Sequence, residues 1–408
     1  MIWWNSKADS KVWMREDYFY TFVFYKNNCF DLKICSKQFF YFPEDSMKDI
    51  EYMKKAIELA YQGEGNVNPN PMVGAVIVKN DKIIGDGFHE YFGKEHAEIN
   101  AFNKLTESCE NATMYVTLEP CCHFGKTPPC VDEIINKKIK RVVIGTLDPN
   151  PLMSGKSVDI LKNNNIEVVV GVLEQECKNL IKEFSHFIKN KKPFITLKYA
   201  MTIDGKVATR TNKSKWISNE KALFSNRVDR YKNTAIMVGI NTVLIDDPLL
   251  TTRIKNKRNP IRIICDTNLR IPLTSNIVKT ANEVKTIVAT CCEDVEKAEK
   301  LLEKNIAVLN IKMKNNHLDL NDLVEKLGAI GIDSIILEGA RTLASNFIEE
   351  KLINYLKIYV CPKIFGGKDA VSPIGGIGVD EPSDAIKIIN QKVSSIDDDV
   401  VIEGEVVY

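Results

Sequence analysis

A regular pattern of apolar and polar positions begins in the sequence near Met47. Ile50, Met53, Ile57 and Ala60 recur at the spacing of one face of an α-helix. After this helix, short apolar runs that are typical of buried strands alternate with helical segments. We predict strands at residues 73–78, 114–118, 141–145 and 167–170, and helices at 96–105, 131–138, 155–163 and 174–189. This alternation indicates a three-layer α/β domain in which helices cover both faces of a sheet.

A second series of strands and helices begins after a polar stretch at residues 189–193. We predict strands near Ile195, Ile236, Ile263, Ile287, Val308, Ile335 and Ile358, and helices around Ala222, Ala298, Leu323 and Leu343. This series indicates a second α/β domain. We therefore expect one domain at residues 47–192 and another at residues 193–408.

The first 46 residues carry many aromatic side chains with no helical or alternating order. They form either a small accessory element or an extension translated from upstream of a true start at Met47, and we favour the second interpretation. We leave residues 1–46 unassigned and expect a chain that starts at Met47 to keep its activity.

Composition and charge limit the classes of function. A chain of 408 residues exceeds what one hydrophobic core usually supports, which fits two domains. The net charge of +1 provides no chain-wide positive field for nucleic acid, and no apolar run is long enough to cross a bilayer. Eleven irregularly spaced cysteines do not resemble a disulfide framework. We expect a cytoplasmic protein that acts on a small molecule and binds neither nucleic acid nor membrane. We also expect a homo-oligomer.

Three short sequences at predicted element ends carry the strongest chemical signal. They are residues 96–98 (His-Ala-Glu) at the start of a helix, 119–121 (Glu-Pro-Cys) after a strand, and 128–130 (Pro-Pro-Cys) before the next helix. One imidazole and two thiolates would leave the fourth tetrahedral position of Zn²⁺ to water, which is the arrangement of a catalytic site. Zinc lowers the pKa of such a water to about 7. Glu98 is then expected to move the proton to a departing amine.

The second thiolate ligand is chosen on its spacing. Zinc deaminases carry His-x-Glu and Pro-Cys-x-x-Cys, but Phe124 occupies the second cysteine position here. Cys122 lies too close to Cys121 to share one tetrahedron comfortably, whereas Cys130 follows a proline pair that can start a helix. We therefore predict that the zinc ligands are His96, Cys121 and Cys130.

Two other classes of function use the same residues. A nucleic-acid base deaminase would need a basic, aromatic-lined channel, which the nearly neutral composition disfavours. A non-catalytic module with a structural zinc would take a fourth ligand from Cys122 or His123, and it would leave Glu98 without a role.

Longer motifs extend the signal. They are residues 70–74 (Asn-Pro-Met-Val-Gly), 96–98, 118–130 and 148–151 (Asp-Pro-Asn-Pro). Together they resemble the bacterial bifunctional riboflavin-pathway deaminase/reductase family, and the resemblance covers the chain from Met47 onward. It implies a cytidine deaminase-like first domain that converts 2,5-diamino-6-(5-phosphoribosylamino)pyrimidin-4(3H)-one to 5-amino-6-(5-phosphoribosylamino)uracil. It also implies that Asn70, His123 and Lys126 line the substrate pocket.

In the second half no Gly-x-Gly-x-x-Gly follows a strand, which disfavours a Rossmann domain. Residues 196–206, 214–218, 242–253, 266–267 and 338–343 instead resemble the reductase of the same family, which has a dihydrofolate reductase-like fold and reduces the ribosyl chain to ribityl with NADPH. The implied cofactor contacts are Ser154, Trp216, Thr242, Asp246, Thr267, Ala340, Arg341 and Thr342. The implied substrate contacts are Ser214, Arg230, Leu250, Arg253 and Glu338, and Lys198 is implied to assist the ribose chemistry.

Elementary chemistry supports part of this assignment. The guanidinium groups of Arg230 and Arg253 suit a phosphate group, and the amides of a helix start after Gly339 suit the phosphates of a cofactor. The family usually has a second glycine at Ala340, whose methyl group restricts close approach of the backbone. The alternative that follows is an active deaminase with a degenerate reductase. Without the resemblance, Arg230 would be a helix-face charge and Trp216 a packing residue.

Overall fold

The computed structural model describes residues 10–15, 18–23, 44–123, 128–339 and 341–408. Residues 1–46 and 47–408 form two separate compact units. In the first unit, β1 (Ser10–Arg15) and β2 (Tyr18–Val23) pair as an antiparallel hairpin that the sequence pattern did not predict. The rest of the aromatic extension, and with it our interpretation of its origin, lies outside the described residues. Helix α1 (Glu44–Ala60) begins before Met47, so a chain that starts at Met47 would lack its first residues.

The first domain of the second unit is built on a five-stranded sheet. Its strands are β3 (Gly74–Lys79), β4 (Lys82–Phe88), β5 (Thr113–Leu118), β6 (Arg141–Thr146) and β7 (Glu167–Val170). Its helices are α1, α2 (Ala97–Asn103), α3 (Cys130–Asn136), α4 (Lys156–Asn163), α5 (Glu174–Leu180) and α6 (Lys182–Asn190). The strand order is β4-β3-β5-β6-β7, in which β3 is antiparallel to β4 and β5 while β5, β6 and β7 are parallel.

Both faces of this sheet are buried, because successive residues of a strand point to opposite sides. On one face, Ile77 and Val116 belong to an apolar cluster with side chains of α2, α3 and α4. On the other face, Val76 and Val143 pack with Met53 of α1. This is the three-layer arrangement that the sequence pattern predicted.

Two elements of the first domain differ from the prediction. Strand β4 was missed because Gly85 and Gly87 interrupt its apolar pattern. These glycines admit α2, since a Cβ atom at Gly85 would lie 2.5 Å from the carbonyl oxygen of Ala101. The single helix predicted at residues 174–189 is two helices, which are separated at Ile181 with φ −117° and ψ 18°.

The second domain is built on a nine-stranded sheet. Its strands are β8 (Phe194–Thr202), β9 (Ala235–Gly239), β10 (Ile261–Cys265), β11 (Thr286–Thr290), β12 (Ile306–Asn310), β15 (Ser334–Leu337), β16 (Tyr355–Cys361), β17 (Lys387–Ile396) and β18 (Asp399–Val407), and β13 (Met313–Lys314) and β14 (His317–Leu318) form a separate hairpin. The helices are α7 (Glu220–Lys232), α8 (Ile240–Asp246), α9 (Asn276–Lys279), α10 (Val295–Leu302), α11 (Leu320–Ala329) and α12 (Thr342–Glu349).

The strand order of this sheet is β12-β11-β10-β9-β15-β8-β16-β18-β17. Neighbours from β12 to β16 are parallel, whereas β18 is antiparallel to both β16 and β17. The seven long parallel strands were predicted. The antiparallel strands β17 and β18 were not; most residues of β17 are exposed, so it has no buried apolar run. Among the helices of the described residues, none is long and apolar enough to cross a bilayer.

We predict that Gly74→Ala destabilises the first domain by about 1–3 kcal/mol, because α1 packs directly on β3. A Cβ atom at Gly74 would lie 1.9 Å from the carbonyl oxygen of Ala56. Gly239→Ala is the matched control, since the heavy atom nearest to its Cβ would be 3.8 Å away. Urea unfolding followed by circular dichroism measures both changes, and equal stability of the two variants would contradict this packing.

Candidate active sites

His96, Cys121 and Cys130 converge at the ends of three elements of the first domain. His96 directly precedes α2, Cys121 follows β5, and Cys130 is the first residue of α3. His96 Nδ1 lies 3.5 Å from Cys121 Sγ and 3.3 Å from Cys130 Sγ. All three donor atoms lie within 4.8 Å of one another, so one metal ion can contact all of them.

Backbone hydrogen bonds hold the two cysteines of this group together. The N–H of Cys130 donates to Cys121 Sγ at 3.3 Å, and the N–H of Val131 donates to the Cys121 carbonyl oxygen at 3.2 Å. Hydrogen bonds from Cys130 and from His96 lower the pKa of Cys121 to about 4, against the effect of its burial. The thiolate is the form in which cysteine binds metal. Cys122 instead packs against the apolar cluster of the sheet.

Glu98 lies in the first turn of α2, beside this group. Its side chain is buried and hydrogen-bonded to Cys130. Burial raises the pKa of Glu98, so its carboxyl group keeps a proton more readily than an exposed one does. A carboxyl group in this state can both accept and donate a proton during one reaction cycle.

Glu119 has a structural role next to Cys121. Its buried carboxylate accepts hydrogen bonds from the N–H groups of Asp148, Gly155 and Ser157 at 3.1, 2.9 and 3.0 Å. It therefore holds the turn between β6 and α4, which contains the Asp-Pro-Asn-Pro motif. Ser154 is exposed in this turn of the first domain. The other predicted cofactor contacts all belong to the second domain.

His89 is a site residue that the sequence analysis missed. It is buried, and its Nδ1 donates to the Glu95 carbonyl oxygen at 2.9 Å, which leaves Nε2 to accept from Asn70 Nδ2 at 3.1 Å. Burial lowers the pKa of His89, which favours the neutral ring. The ring lies edge-on to that of His96, with centroids 5.7 Å apart. The signal that could have found it is a second histidine close before the metal-binding one, in a chain with five histidines.

The structure therefore orients Asn70, a predicted pocket residue, next to the metal-binding group. His123, the second predicted pocket residue, is exposed. Lys126, the third, lies outside the described residues.

The predicted cofactor contacts of the second domain lie at the carboxyl ends of adjacent parallel strands. Thr267 follows β10, Thr242 and Asp246 lie on α8 directly after β9, and Arg341 and Thr342 follow β15. Strands β10, β9, β15 and β8 are neighbours in the sheet. In open α/β sheets this edge is the usual location of a ligand site.

The loop after β8 reaches the same edge. Lys215 Nζ lies 3.3 Å from Asp246 Oδ1. The neighbouring Trp216 side chain is 65% exposed, so a ligand can reach it, and Ser214 is half-buried in the same loop. Ala340 lies outside the described residues.

Glu338 directly follows β15 and forms a bidentate ion pair with Arg230 of α7. Arg230 Nε and Nη2 donate to Glu338 Oε1 and Oε2 at 2.7 and 2.9 Å, and Nη1 donates to the Thr251 carbonyl oxygen at 3.1 Å. Burial alone would raise the pKa of Glu338, but the charge and hydrogen bonds of Arg230 lower it to about 2. The fork of Arg230, which we expected to bind a phosphate group, therefore holds this carboxylate instead.

A polar cluster beside Glu338 was not predicted, because its members lie on α7 and β16 without a recognisable motif. Asp229 Oδ2 lies 2.8 Å from Lys357 Nζ and accepts a hydrogen bond from Tyr359 at 3.2 Å. Asn226 Nδ2 donates to Glu338 Oε2 at 3.4 Å, and its buried Oδ1 has no hydrogen-bond partner among the described residues. A buried acceptor of this kind suits a ligand hydroxyl group.

Lys198 of β8 lies on the other side of this cluster. Its Nζ is 5.3 Å from the centre of the Tyr359 ring. Burial lowers the pKa of Lys198, and the nearby Glu338 carboxylate opposes that shift. Lys198, which the resemblance implied to assist the ribose chemistry, thus lies near Glu338.

Leu250 and Arg253 lie in the irregular segment after α8, both with positive φ. Leu250 is 3% exposed and packs into an apolar cluster, so a ligand could contact only its backbone. Arg253 is exposed. Its pKa is lowered by burial of part of the group and by the positive charges of Arg230 and Arg227. Binding of an anion is favourable where positive charges repel one another. We call Arg227, Arg230 and Arg253 the arginine cluster; the sequence analysis did not identify Arg227 as part of it.

Comparison with known proteins places these two sites in one family. The family model of the cytidine and deoxycytidylate deaminase zinc-binding region matches residues 46–146, and the model of the RibD C-terminal domain matches residues 193–402. The chain belongs to the RibD family. It is 45% identical over 362 residues to the riboflavin biosynthesis protein RibD of Actinobacillus pleuropneumoniae, which covers 89% of this chain and 96% of that protein. Identity with RibD of Aquifex aeolicus is also 45%, over 87% and 97% of the two chains.

Solved structures of RibD proteins share the fold. Acinetobacter baumannii RibD superposes with a TM-score of 0.80 at 33% identity, over 89% of this chain and 100% of that one. The Thermotoga maritima diaminohydroxyphosphoribosylaminopyrimidine deaminase/5-amino-6-(5-phosphoribosylamino)uracil reductase gives a TM-score of 0.80 at 37% identity, with the same coverage. The predicted fold class, a deaminase-like and a reductase-like α/β domain, is confirmed.

The chain is a bifunctional enzyme of riboflavin biosynthesis, a deaminase and a reductase. The alternative of an active deaminase with a degenerate reductase is not favoured, because the RibD C-terminal domain model matches residues 193–402 beside the deaminase region. The deaminase region is a zinc-binding one, and the reductase domain indicates a nucleotide cofactor.

We predict that Cys130→Ser loses its metal whereas Cys122→Ser retains it, because only the Cys130 thiol lies in the group of three donor atoms. The two variants are matched, since each removes one thiol near Cys121. Zinc content by atomic absorption decides between them. One zinc ion per chain in Cys130→Ser would show that another ligand completes the site.

We predict that ionised Glu338 stabilises the second domain above pH 4.5, its ordinary pKa, and that this stability is lost as the pH falls towards about 2. The difference in unfolding free energy between wild type and Glu338→Gln should shrink by roughly 2 kcal/mol from about pH 6 to about pH 3. Urea unfolding at the two pH values measures it. The control is Glu325→Gln, which removes an exposed carboxylate. An identical pH dependence for the two variants would contradict the low pKa.

Proposed function

We propose that the first domain hydrolytically removes the exocyclic amine of 2,5-diamino-6-(5-phosphoribosylamino)pyrimidin-4(3H)-one, and that the second domain reduces the ribosyl chain of the product to ribityl with NADPH. The observation that carries the proposal is the group of His96, Cys121 and Cys130 with a buried carboxyl group, Glu98, beside it. The name of the similar Thermotoga maritima protein describes both reactions.

In the first domain we assign His96, Cys121 and Cys130 as ligands of zinc. One imidazole and two thiolates are ligands that zinc prefers, and three protein ligands leave a coordination position open. Bound zinc would make water nucleophilic near neutral pH. Glu98 accepts a proton on its carboxylate and returns it to the leaving amine, and its raised pKa favours the protonated form between these events. Asn70, oriented by His89, presents its amide oxygen to the pyrimidine.

In the second domain we assign the edge formed by Thr242, Asp246, Thr267 and Trp216 to NADPH, together with Arg341 and Thr342 at the start of α12. A helix start provides free N–H groups for a cofactor phosphate. NADPH would supply the hydride for the ribosyl carbon. We also propose Ser154 as a cofactor contact; it lies in the turn held by Glu119 of the first domain.

The substrate of the second domain would lie between Glu338 and the arginine cluster. Glu338, held by Arg230, and the free Oδ1 of Asn226 accept hydrogen bonds from ribosyl hydroxyl groups. Arg253 and Arg227 bind the phosphate group. Lys198, whose pKa burial lowers, donates a proton to the ribosyl oxygen as the ring opens.

We further propose the domain bounds 47–192 and 193–408, a cytoplasmic location and a homo-oligomer. The bounds agree with the separate sheets. Free thiols at the described cysteines are typical of a reducing compartment.

Exposed Ile389 and Val393 on the outermost strand β17 favour association with another chain, which light scattering would test.

We predict that Glu98→Gln separates the two activities. It keeps the size of the side chain but removes the carboxylate, so ammonia release should fall by roughly two to four powers of ten while zinc remains bound. NADPH oxidation with the deaminated substrate should be unchanged. Glu107→Gln, which alters an exposed residue of the same domain, is the control.

The converse variant is Arg253→Ala. It should raise the KM of the reductase by roughly tenfold or more, because the phosphate loses a charged partner, and should leave ammonia release unchanged. Lys300→Ala removes an exposed cation of α10 as a control. Loss of both activities in folded, zinc-loaded Glu98→Gln would show that the two-site proposal is wrong.

A further inference from the structure

The segment of residues 63–70 connects the end of α1 to β3 and contacts the second domain. We call it the docking loop. Its outer side faces α7, the segment around Arg258, and the start of β15. Its inner side faces Phe92 and also His89, which lies beside the metal-binding group. The loop therefore lies between the second domain and the residues that orient Asn70.

Tyr231 of α7 holds the first part of the docking loop. Its hydroxyl group donates to Asn66 Oδ1 at 2.8 Å and accepts from Lys257 Nζ at 3.2 Å. Its ring lies against Gly65, where a Cβ atom would be 2.5 Å from the ring carbons and where φ is +74°. A side chain at Gly65 would clash with the ring, so this glycine allows the close approach.

Asn68 holds the second part of the loop through its amide group. Asn68 Nδ2 donates to Asp333 Oδ2 at 3.1 Å, and Asn68 Oδ1 accepts from Arg258 Nη2 at 3.3 Å. Arg258 Nε also donates to the Gly65 carbonyl oxygen at 2.5 Å. Asp333 is 2% exposed and is itself fixed by Thr234. Both parts of the loop are thus bound to buried or partly buried groups of the second domain.

The inner side of the docking loop contacts the residues that orient Asn70 in the deaminase site. The Asn66 carbonyl oxygen accepts from the N–H of Phe92 at 3.1 Å, and Gly63 packs on the His89 carbonyl, where a Cβ atom would be 2.4 Å away. The N–H of Asn70 donates to the Val67 carbonyl oxygen at 2.8 Å, which makes a turn that aims Asn70 at His89. A displaced loop would therefore move Asn70 and His89 together.

We propose that the second domain completes the active site of the first: Tyr231, Arg258 and Asp333 are positioning residues that hold the docking loop in the conformation in which Asn70 receives the pyrimidine substrate. They do not touch the substrate. The proposal rests on the proposed role of Asn70 in the deaminase. It accounts for the polar contacts of Asn66 and Asn68, which have no role in the metal-binding group.

The test uses the full-length, zinc-loaded enzyme with Tyr231→Phe, which keeps the ring against Gly65 but removes the hydrogen bond to Asn66. Its KM for ammonia release should rise roughly three- to tenfold, the effect of one lost hydrogen bond on ground-state positioning. Its deaminase kcat, zinc content and melting temperature should match the wild type. The reductase, assayed with the deaminated substrate and NADPH, should also be unchanged, although Tyr231 belongs to its domain. Tyr408→Phe, which removes a hydroxyl group that accepts from the N–H of Ile353, is the matched control and should change neither KM.

A double-mutant cycle shows whether the effect passes through the loop. In an Asn66→Ala background, Tyr231→Phe should cause no further rise of KM. An additive effect would show that Tyr231 does not act through Asn66, and a loss of kcat, zinc or thermal stability in Tyr231→Phe would show that the residue acts on stability; either result would overturn the proposal. Asn70→Ala separates this outcome from the proposed function. If Asn70→Ala raises KM and Tyr231→Phe does not, the docking loop is not held in this way; if Asn70→Ala has no effect, the assignment of Asn70 is wrong.

Discussion

The metal-binding group depends on one short pairing, in which the amides of Cys130 and Val131 bond to the sulfur and the carbonyl oxygen of Cys121. This pairing makes the start of α3 adjacent to the end of β5. Because α2 packs on the same face of the sheet as α3, its own start brings His96 to the same point. The chemistry of the site is therefore a consequence of where two short helices begin. Glu98 lies beside the metal-binding group because it is in the first turn of α2.

The second domain reaches its arrangement by a different constraint, the common direction of its parallel strands. Strands β10, β9, β15 and β8 end at one edge of the sheet, so the residues that follow each of them are collected there. A carboxylate at this edge, Glu338, would be costly to bury alone, and the fork of Arg230 compensates its charge. Because the guanidinium of Arg230 is paired with this carboxylate, it is not free to bind a phosphate group. The exposed Arg253 and its neighbour Arg227 are left for that role.

The sequence predicted the elements that leave a local signal, either residue types at the end of a helix or a run of apolar residues in a strand. The proline pair before Cys130 marked the start of α3, and the apolar run at residues 167–170 marked β7. It did not predict β4, because glycines that admit α2 also remove the apolar pattern. Nor did it predict the pairing of Arg230 with Glu338, which are 108 residues apart, since either charge could have had many partners before the fold was known. His89 and Asn226 were missed for the same reason: their roles follow from burial and from neighbours that are distant in the sequence, Asn70 and Glu338.

Helix α7 contacts both Glu338 of the second domain and the docking loop of the first. Arg230 and Tyr231 are consecutive, and consecutive helical residues point about 100° apart, so one faces Glu338 and the other faces the docking loop. Between the domains lies a cavity of about 560 Å³, lined by Asn70 of the first domain and by Asp229 and Lys357 of the second. Six carboxylate side chains and four lysines line it, and this excess of acidic groups is unfavourable for a molecule that carries a phosphate. The charge of this cavity therefore disfavours direct passage of a phosphorylated molecule between the two proposed sites, and the contact between the domains is better explained by the role proposed for the docking loop.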